Sequence, residues 1–194
     1  MGSDFYEKQA ERFFQDTVAV DMQPLYQRFL QHVPQGEPIL DAGCGSGRDA
    51  LAFKRLGYSV HAFDASTALA TMASELLGQP VDVLRFENFI CGVQYAGIWA
   101  CASLLHVSEA ELPDVFVKLW QALLPDGVLY CSFKYGDTAR CTGGRHFTDA
   151  NEERLERWTN GLPGRARSIY WITEDRRPER AEQWLNALLF KAGV

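Results

Sequence analysis

Ile39-Leu40-Asp41-Ala42-Gly43-Cys44-Gly45-Ser46-Gly47 decides the fold. An apolar run ends in an acidic residue and then in three alternate glycines, the order of a strand feeding a tight loop that opens a helix. Glycines let the backbone turn through positive φ and let a ligand lie against bare main chain, where a Cβ would collide. Two classes of cofactor use such a loop, and spacing separates them. The dinucleotide fingerprint G-x-G-x-x-G/A needs a small third residue for close helix packing, with pyrophosphate on the helix N-terminus. Counted from Gly43 and Gly45, that position holds Arg48, and the third glycine comes one residue early at Gly47. Asp41 stands two residues before the first glycine, where a carboxylate repels a pyrophosphate and suits an ammonium or sulfonium centre. The loop favours a cationic ligand.

Outward from this loop, apolar runs alternate with helical patterns, the mark of βαβ units and a mainly parallel sheet. Strands are expected over 39–41, 58–63, 81–85, 98–102 and 128–133, with a crossover helix over 46–56 stopped by Gly57. Ser66 can cap the next helix, whose Leu69, Met72, Ala73 and Leu76 share a face before Gly78 ends it. Ser108 and Glu111 have capping-box spacing, while Pro113 marks an alternative first turn, and Val115, Phe116, Leu119 and Leu123 form the buried face that follows. Thr148 or Asp149 starts a helix running through Glu156 and Trp158. Residues 169–173 and 185–190 read as the last two strands, although 184–189 also fits a short helix. Two helical patterns rich in aromatics (Phe5, Tyr6, Phe13 and Phe14, then Leu25, Phe29 and Leu30) precede the sheet. There is no internal repeat, linker or low-complexity segment.

Composition narrows the partners. The 194 residues, 47% of them hydrophobic, suit one compact domain, 1–194. A formal charge of −6 lacks the basic footprint of a nucleic-acid or anionic-membrane binder, so a small-molecule substrate is expected, with no nucleic acid and no membrane. No stretch approaches the roughly 20 apolar residues that span a bilayer. Met1-Gly2-Ser3-Asp4 begins no signal peptide, and Tyr6 occupies the Ser/Thr position of a myristoylation site, so the expected location is cytoplasmic. Cys44, Cys91, Cys101, Cys131 and Cys141 contain no C-x-x-C pair and are odd in number, which gives neither a zinc site nor a disulfide framework; no metal is expected.

Asp41-Ala42-Gly43-Cys44-Gly45-Ser46-Gly47 has the form D/E-x-G-x-G-x-G, and in this the chain resembles the class I S-adenosylmethionine (SAM) dependent methyltransferases. The resemblance extends through Val60-His61-Ala62-Phe63-Asp64 and the run from Ile98 to Val107. It ends at Leu124-Pro125-Asp126-Gly127-Val128-Leu129, similar to the family's L-x-P-G-G turn, and so covers nearly the whole chain. The layout is also similar to the small tellurite-resistance methyltransferases. Two positions depart from the usual pattern: Ala96 stands where an acidic residue often precedes the fourth strand, and Asp126 replaces the first glycine of the turn.

The resemblance implies an α/β, doubly wound, mainly parallel seven-stranded sheet with an antiparallel last strand, a three-layer Rossmann-like methyltransferase fold. Residues 1–34 are then a helical lid or cover and 35–194 the core. It implies SAM as cofactor, S-adenosylhomocysteine (SAH) as product, and a monomer or homodimer. Gly43 and Gly45 expose backbone to the methionyl and ribose portions, Asp41 offers charge near the amino group, and Asp64 accepts from both ribose hydroxyls. Asp64 also suits a helix-capping role. Ala65 and Leu84 would pack on adenine, Glu87 or Asn88 read its amino group, Cys101 meet the methionyl amine, and Tyr6 reach the methionine carboxylate.

Methyl transfer from a sulfonium is an in-line displacement, so the protein supplies proximity and alignment, and a base only when the acceptor must lose a proton. His106, after the fourth strand, is the candidate base, with a structural histidine as the other role; His146 is a second candidate. No N/D-P-P-Y/F tetrad follows the fourth strand and no Pro-Cys nucleophile is present, which argues against DNA and protein-glutamine methylation. Instead Lys134, Tyr135, Arg140, Arg145 and His146 follow the fifth strand as substrate-side candidates, and the cations Lys134, Arg140 and Arg145 suit a small anionic or chalcogen oxyanion substrate or plain solvation. The expected function is methyl transfer to a small molecule. A SAM-binding sensor or partner subunit without turnover is the alternative, and a nicotinamide-dependent oxidoreductase a distant third.

Overall fold

The computed structural model describes residues 3–177 and 180–193. Three helices come first, α1 (Ser3–Lys8), α2 (Ala10–Thr17) and α3 (Gln23–Leu30). The chain then alternates through β1 (Pro38–Ala42), α4 (Arg48–Arg55), β2 (Ser59–Asp64), α5 (Thr67–Leu77), β3 (Asp82–Val83), β4 (Tyr95–Ala100), α6 (Leu112–Gln121) and β5 (Leu123–Lys134). After β5 come β6 (Ala139–Thr142), β7 (Arg145–Thr148), α7 (Glu152–Thr159), β8 (Arg165–Glu174) and β9 (Gln183–Lys191). Seven strands form one sheet in the order β3-β2-β1-β4-β5-β9-β8, in which β9 runs against both its neighbours. The order reverses at β1, which pairs in parallel with β2 on one side and β4 on the other. Open α/β sheets take ligands outside the carboxyl ends of the strands at such a reversal.

Burial on both faces explains why the central strands read as unbroken apolar runs: all six residues of β4 are buried. On one face Phe29 of α3 and Phe53 of α4 pack on Trp99, which stacks on Tyr130 with ring centroids 3.9 Å apart. The other face carries Phe116, Leu119 and Trp120 of α6 with Leu155 and Trp158 of α7. Helix α5 begins as expected, with the Ser66 hydroxyl accepting from the Leu69 N–H at 3.2 Å and Gly78 closing it in the left-handed conformation.

Several boundaries differ from the sequence expectation. Strand β3 shrinks to two residues because the chain turns at Leu84 into a 3-10 turn, Phe86–Asn88. Helix α7 starts at Glu152, capped by the Asn151 side chain, which accepts from the Arg154 N–H at 2.9 Å; Thr148 instead lies in β7. At α6 the Ser108 hydroxyl bonds the Glu111 side chain, but the helix opens at Leu112 with Pro113 in its first turn. Residues 184–189 are strand, hydrogen-bonded on both sides. The polar segment after β5 folds into a hairpin, β6–β7, around Gly143-Gly144.

Helix α3 is a fixed cover, seated where β4 has Gly97. A Cβ there would stand 2.6 Å from the Phe29 ring and 2.8 Å from Val33 Cγ2. Gly97→Ala is therefore expected to push α3 outward and destabilise by about 1–3 kcal/mol. Denaturant unfolding checks this; an unchanged midpoint would mean that α3 is loosely held. Among the described residues no helix is long and apolar enough to cross a membrane.

Candidate active site

A cavity of about 610 Å³ opens over the carboxyl ends of β1, β2, β4 and β5. Its floor is the glycine loop. The Gly43 and Cys44 N–H groups both donate to the Phe63 carbonyl at 2.9 Å, locking the loop to the end of β2. Gly43 sits at φ +76°, and a Cβ on it would lie 2.5 Å from Ser103 Cβ, so this position admits only glycine at its present closeness to the loop after β4. That second loop is held in turn: the Ala102 N–H donates to Ser132 Oγ at 2.9 Å, with Ala102 itself at φ +51°, and Ser103 Oγ donates to the Ala42 carbonyl at 2.7 Å.

Asp64 closes one side. Its Oδ2 accepts from the Gly45 N–H at 2.8 Å and its Oδ1 from the Ser66 N–H at 2.9 Å, while the side chain lines the cavity. Burial raises its pKa and these backbone donors oppose the rise. Each carboxylate oxygen keeps lone-pair capacity for a further donor, which fits a vicinal diol. Ala65, Leu84 and Glu87 line the same end; Asn88 does not.

Asp41 does not line the cavity. It is 2% exposed, and its Oδ2 accepts from the Ala50 N–H at 3.0 Å in the first turn of α4, so it holds the helix that the loop opens. Burial, then the charge of Asp49, push its pKa well up. At this end of α4 it is Asp49, not Asp41, that reaches the cavity wall, with Arg48 beside it. Asp49 accepts from Tyr26 Oη at 2.5 Å, Trp99 Nε1 at 2.8 Å, and Arg48 Nε and Nη2 at 2.6 and 2.9 Å. Burial opposes its ionisation, but the Arg48 charge and these donors overcome it and lower its pKa. The sequence singled out Arg48 for its spacing alone. Asp49 carried no local signal, because its partners Tyr26 and Trp99 are brought to it only by the fold.

Cys101 lines the cavity as a thiol, its pKa pushed up to about 12 by burial. His106, in the 3-10 turn Leu104–His106, donates through Nδ1 to the His146 carbonyl at 2.8 Å, because a carbonyl can only accept. Its Nε2 is therefore the lone pair, and Tyr6 Oη donates to it at 2.7 Å. The Tyr6 hydroxyl thus turns toward His106. His146 is tied elsewhere: Thr148 Oγ1 donates to the Val107 carbonyl, which leaves that oxygen to accept from His146 Nε2 at 2.9 Å.

Burial holds the His106 pKa down to about 4 from an ordinary 6.5, so the ring is neutral at pH 7. A depressed folded-state value gives stability that is present above the unfolded pKa and lost as pH falls through the folded one. The melting temperature of the wild type should fall more steeply than that of His106→Gln between pH 6.5 and 4, the window set by those two values. Parallel curves would sink the assignment of a buried neutral ring.

Of the remaining sequence candidates, Lys134, Arg145 and His146 line the cavity. Tyr135 and Arg140 do not: the Tyr135 hydroxyl donates to Glu152, and Arg140 pairs with the buried Asp149. The β8–β9 turn adds Asp175 and Arg177, paired at 2.5 Å, and strand β9 adds Trp184 and Asn186. None of these four carried a motif. Tyr6 and Phe13 bring α1 and α2 over the mouth.

A family model described as a methyltransferase domain matches residues 12–182. No curated protein matches the chain in sequence. Among solved structures, the Burkholderia thailandensis 1,6-didemethyltoxoflavin-N1-methyltransferase, with 1,6-didemethyltoxoflavin and SAH bound, superposes with a TM-score of 0.76 at 20% identity, over 98% of this chain and 86% of that one. The magnesium protoporphyrin IX methyltransferase of Synechocystis PCC 6803 with bound SAH gives 0.73 at 15% identity, over 98% of each chain. The N-methyltransferase NodS of Bradyrhizobium japonicum in complex with SAH gives 0.72 at 15%, over 95% of this chain and 97% of that one.

Proposed function

The chain belongs to the methyltransferase domain family and is a SAM-dependent enzyme, and from that premise we propose that it methylates a small molecule held between the glycine loop and the β6–β7 hairpin. The observation that carries this is one continuous cavity with two unlike ends. One end has the bare backbone of Gly43 to Ser46, the Asp64 carboxylate and the apolar Ala65 and Leu84, a fit for ribose and adenine. The other has Tyr6, His106, Lys134 and Arg145. At about 610 Å³ the space is large enough for a cofactor and a small acceptor together. The nicotinamide alternative has no place in this family.

SAM supplies an electrophilic methyl group on sulfur when bound. The chain's part is alignment: Asp64 and the glycine loop fix the nucleoside, and the loop Cys101 to Ser103 borders the methionyl side. Tyr6 and His106 serve the acceptor. A proton leaving it passes to His106 Nε2 by way of the Tyr6 hydroxyl, which already donates to that nitrogen. Helices α1 and α2 close over both ligands, since Tyr6 and Phe13 stand at the mouth. One structure of similar fold, the 1,6-didemethyltoxoflavin-N1-methyltransferase, holds 1,6-didemethyltoxoflavin together with SAH, which is in keeping with a small acceptor.

Titration calorimetry with SAM and SAH, with NAD as control, followed by turnover against a panel of small acceptors, tests the proposal. Binding of both sulfur ligands and transfer to one acceptor are expected. Tight binding with no transfer to any acceptor would favour a SAM-binding sensor or partner subunit instead.

A further inference from the structure

The cations around the acceptor end are not equivalent. Lys134, Arg145, Arg176, Arg177 and Arg180 all line it. Lys134 pairs with Glu182, Arg176 with Asp21 at 3.3 Å, Arg177 with Asp175 at 2.5 Å, and Arg180 with Glu182 at 3.8 Å. Arg145 has no carboxylate within ion-pair distance among the described residues. Its guanidinium carbon lies 4.3 Å from the ring centre of Phe5 and 5.0 Å from that of Phe147. Its Nε is buried with no hydrogen-bond partner, and its charge stands near enough to the Tyr6 hydroxyl to oppose the rise that burial gives the Tyr6 pKa.

An arginine held against aromatic rings is kept flat and oriented, with its N–H edge left for a planar or forked acceptor of hydrogen bonds. A buried guanidinium donor left unpaired is unfavourable, so the site is incomplete until an anion arrives. The neighbouring pairs sharpen this. Lys134 and Arg140 stand over the same Phe147 ring, 5.1 and 5.5 Å from its centre, yet Glu182 and Asp149 neutralise them. Of the cations lining this end, Arg145 is the one without a carboxylate partner among the described residues, and it is near the Tyr6 hydroxyl that donates to His106.

Resting on the methyltransferase reading above, we propose that Arg145 is the receptor for an oxyanion on the acceptor, and that the substrate is a small organic acid, a carboxylate or a phosphate ester. The anionic group docks on the Arg145 fork and orients the remainder of the molecule toward Tyr6. Phe5 belongs to α1, so the same arginine that takes the anion also pins the helix over the mouth. Acceptor binding and closure are thereby linked.

The test is calorimetric titration of the protein with benzoate and with phenyl phosphate, against neutral benzamide, each with and without saturating SAH. At least one of the two anions should bind and benzamide should not, the stronger anion naming the acid. Arg145→Gln should weaken that anion at least tenfold, and Arg145→Lys, which keeps the charge without the fork, by less. Both variants should still bind SAH, which reports that they fold. Equal binding of benzamide and the anions, anion binding indifferent to Arg145→Gln, or no anion binding to a protein that binds SAH would overturn the proposal. Failure to bind SAH would instead remove the cofactor placement, while the anion titrations without SAH still read the Arg145 site.

Discussion

Asp49→Ala is expected to remove about 3–5 kcal/mol of folding stability, the range for breaking a buried ion pair from one side. Four donors converge on this carboxylate, from Tyr26, Trp99 and twice from Arg48. Removing the carboxylate leaves two ring donors from two layers of the fold without an acceptor and a buried guanidinium without a counter-charge. For a chain of this size the melting temperature should fall by roughly 6–20 °C, at about 2–4 °C per kcal/mol. The large value follows from where the group sits: Tyr26 is in α3, Trp99 in β4 and Asp49 at the start of α4, so one side chain ties the helical cover, the sheet and the glycine loop together. Asp49→Asn should fall between, since its amide oxygen accepts but its NH₂ opposes a donor. Because the folded-state pKa of Asp49 is lowered, its stabilisation is present above the unfolded value of 3.8 and is lost as pH falls below it. The gap between wild type and Asp49→Asn should therefore be full at neutral pH and close in acid. A loss under about 1 kcal/mol would show that Tyr26, Trp99 and Arg48 find other partners.

The same cluster shows what the sequence could and could not convey. Ile39 to Gly47 revealed the strand, the loop and the helix because each part has its own local signal: apolar burial, positive φ, a helix opening. Asp41 was legible as a charge but not as a buried one; its Ala50 partner lies nine residues on, across a loop whose path the sequence does not draw. Asp49 was invisible because its meaning depends on Tyr26 and Trp99, which topology alone brings to it. The hairpin β6–β7 was more accessible. Gly143-Gly144 between Ala139–Thr142 and Arg145–Thr148 is a two-residue turn of the kind that joins antiparallel strands, hidden by the polar residues on both sides. Strand β3 was overextended for the opposite reason. Leu84 is apolar, yet it packs against the core from a loop instead of continuing an edge strand. The acceptor cations divide in the same way: Lys134, Arg140 and Arg145 look alike in sequence, and Glu182 and Asp149 set Arg145 apart.

Asp64→Ala is expected to weaken SAH binding by roughly 10–150-fold, the equivalent of about 1.5–3 kcal/mol for hydrogen bonds to a charged group. Two effects contribute. On the proposed placement the ribose hydroxyls lose a charged acceptor, and the Gly45 and Ser66 N–H groups lose theirs, which frees the glycine loop. Asp64→Asn separates the two. Its amide oxygen satisfies one backbone donor, while its NH₂ faces the other donor and offers a diol one acceptor at most. If Asn binds SAH nearly as weakly as Ala while the two proteins melt together, the charge on the diol is the larger effect. Recovery of most of the affinity in Asn would assign the effect to the loop tether, and the ribose contact would then be minor. Unchanged SAH affinity in Asp64→Ala would remove Asp64 from the cofactor site altogether and leave it as a tether between the glycine loop and the turn before α5, which Ser66 caps.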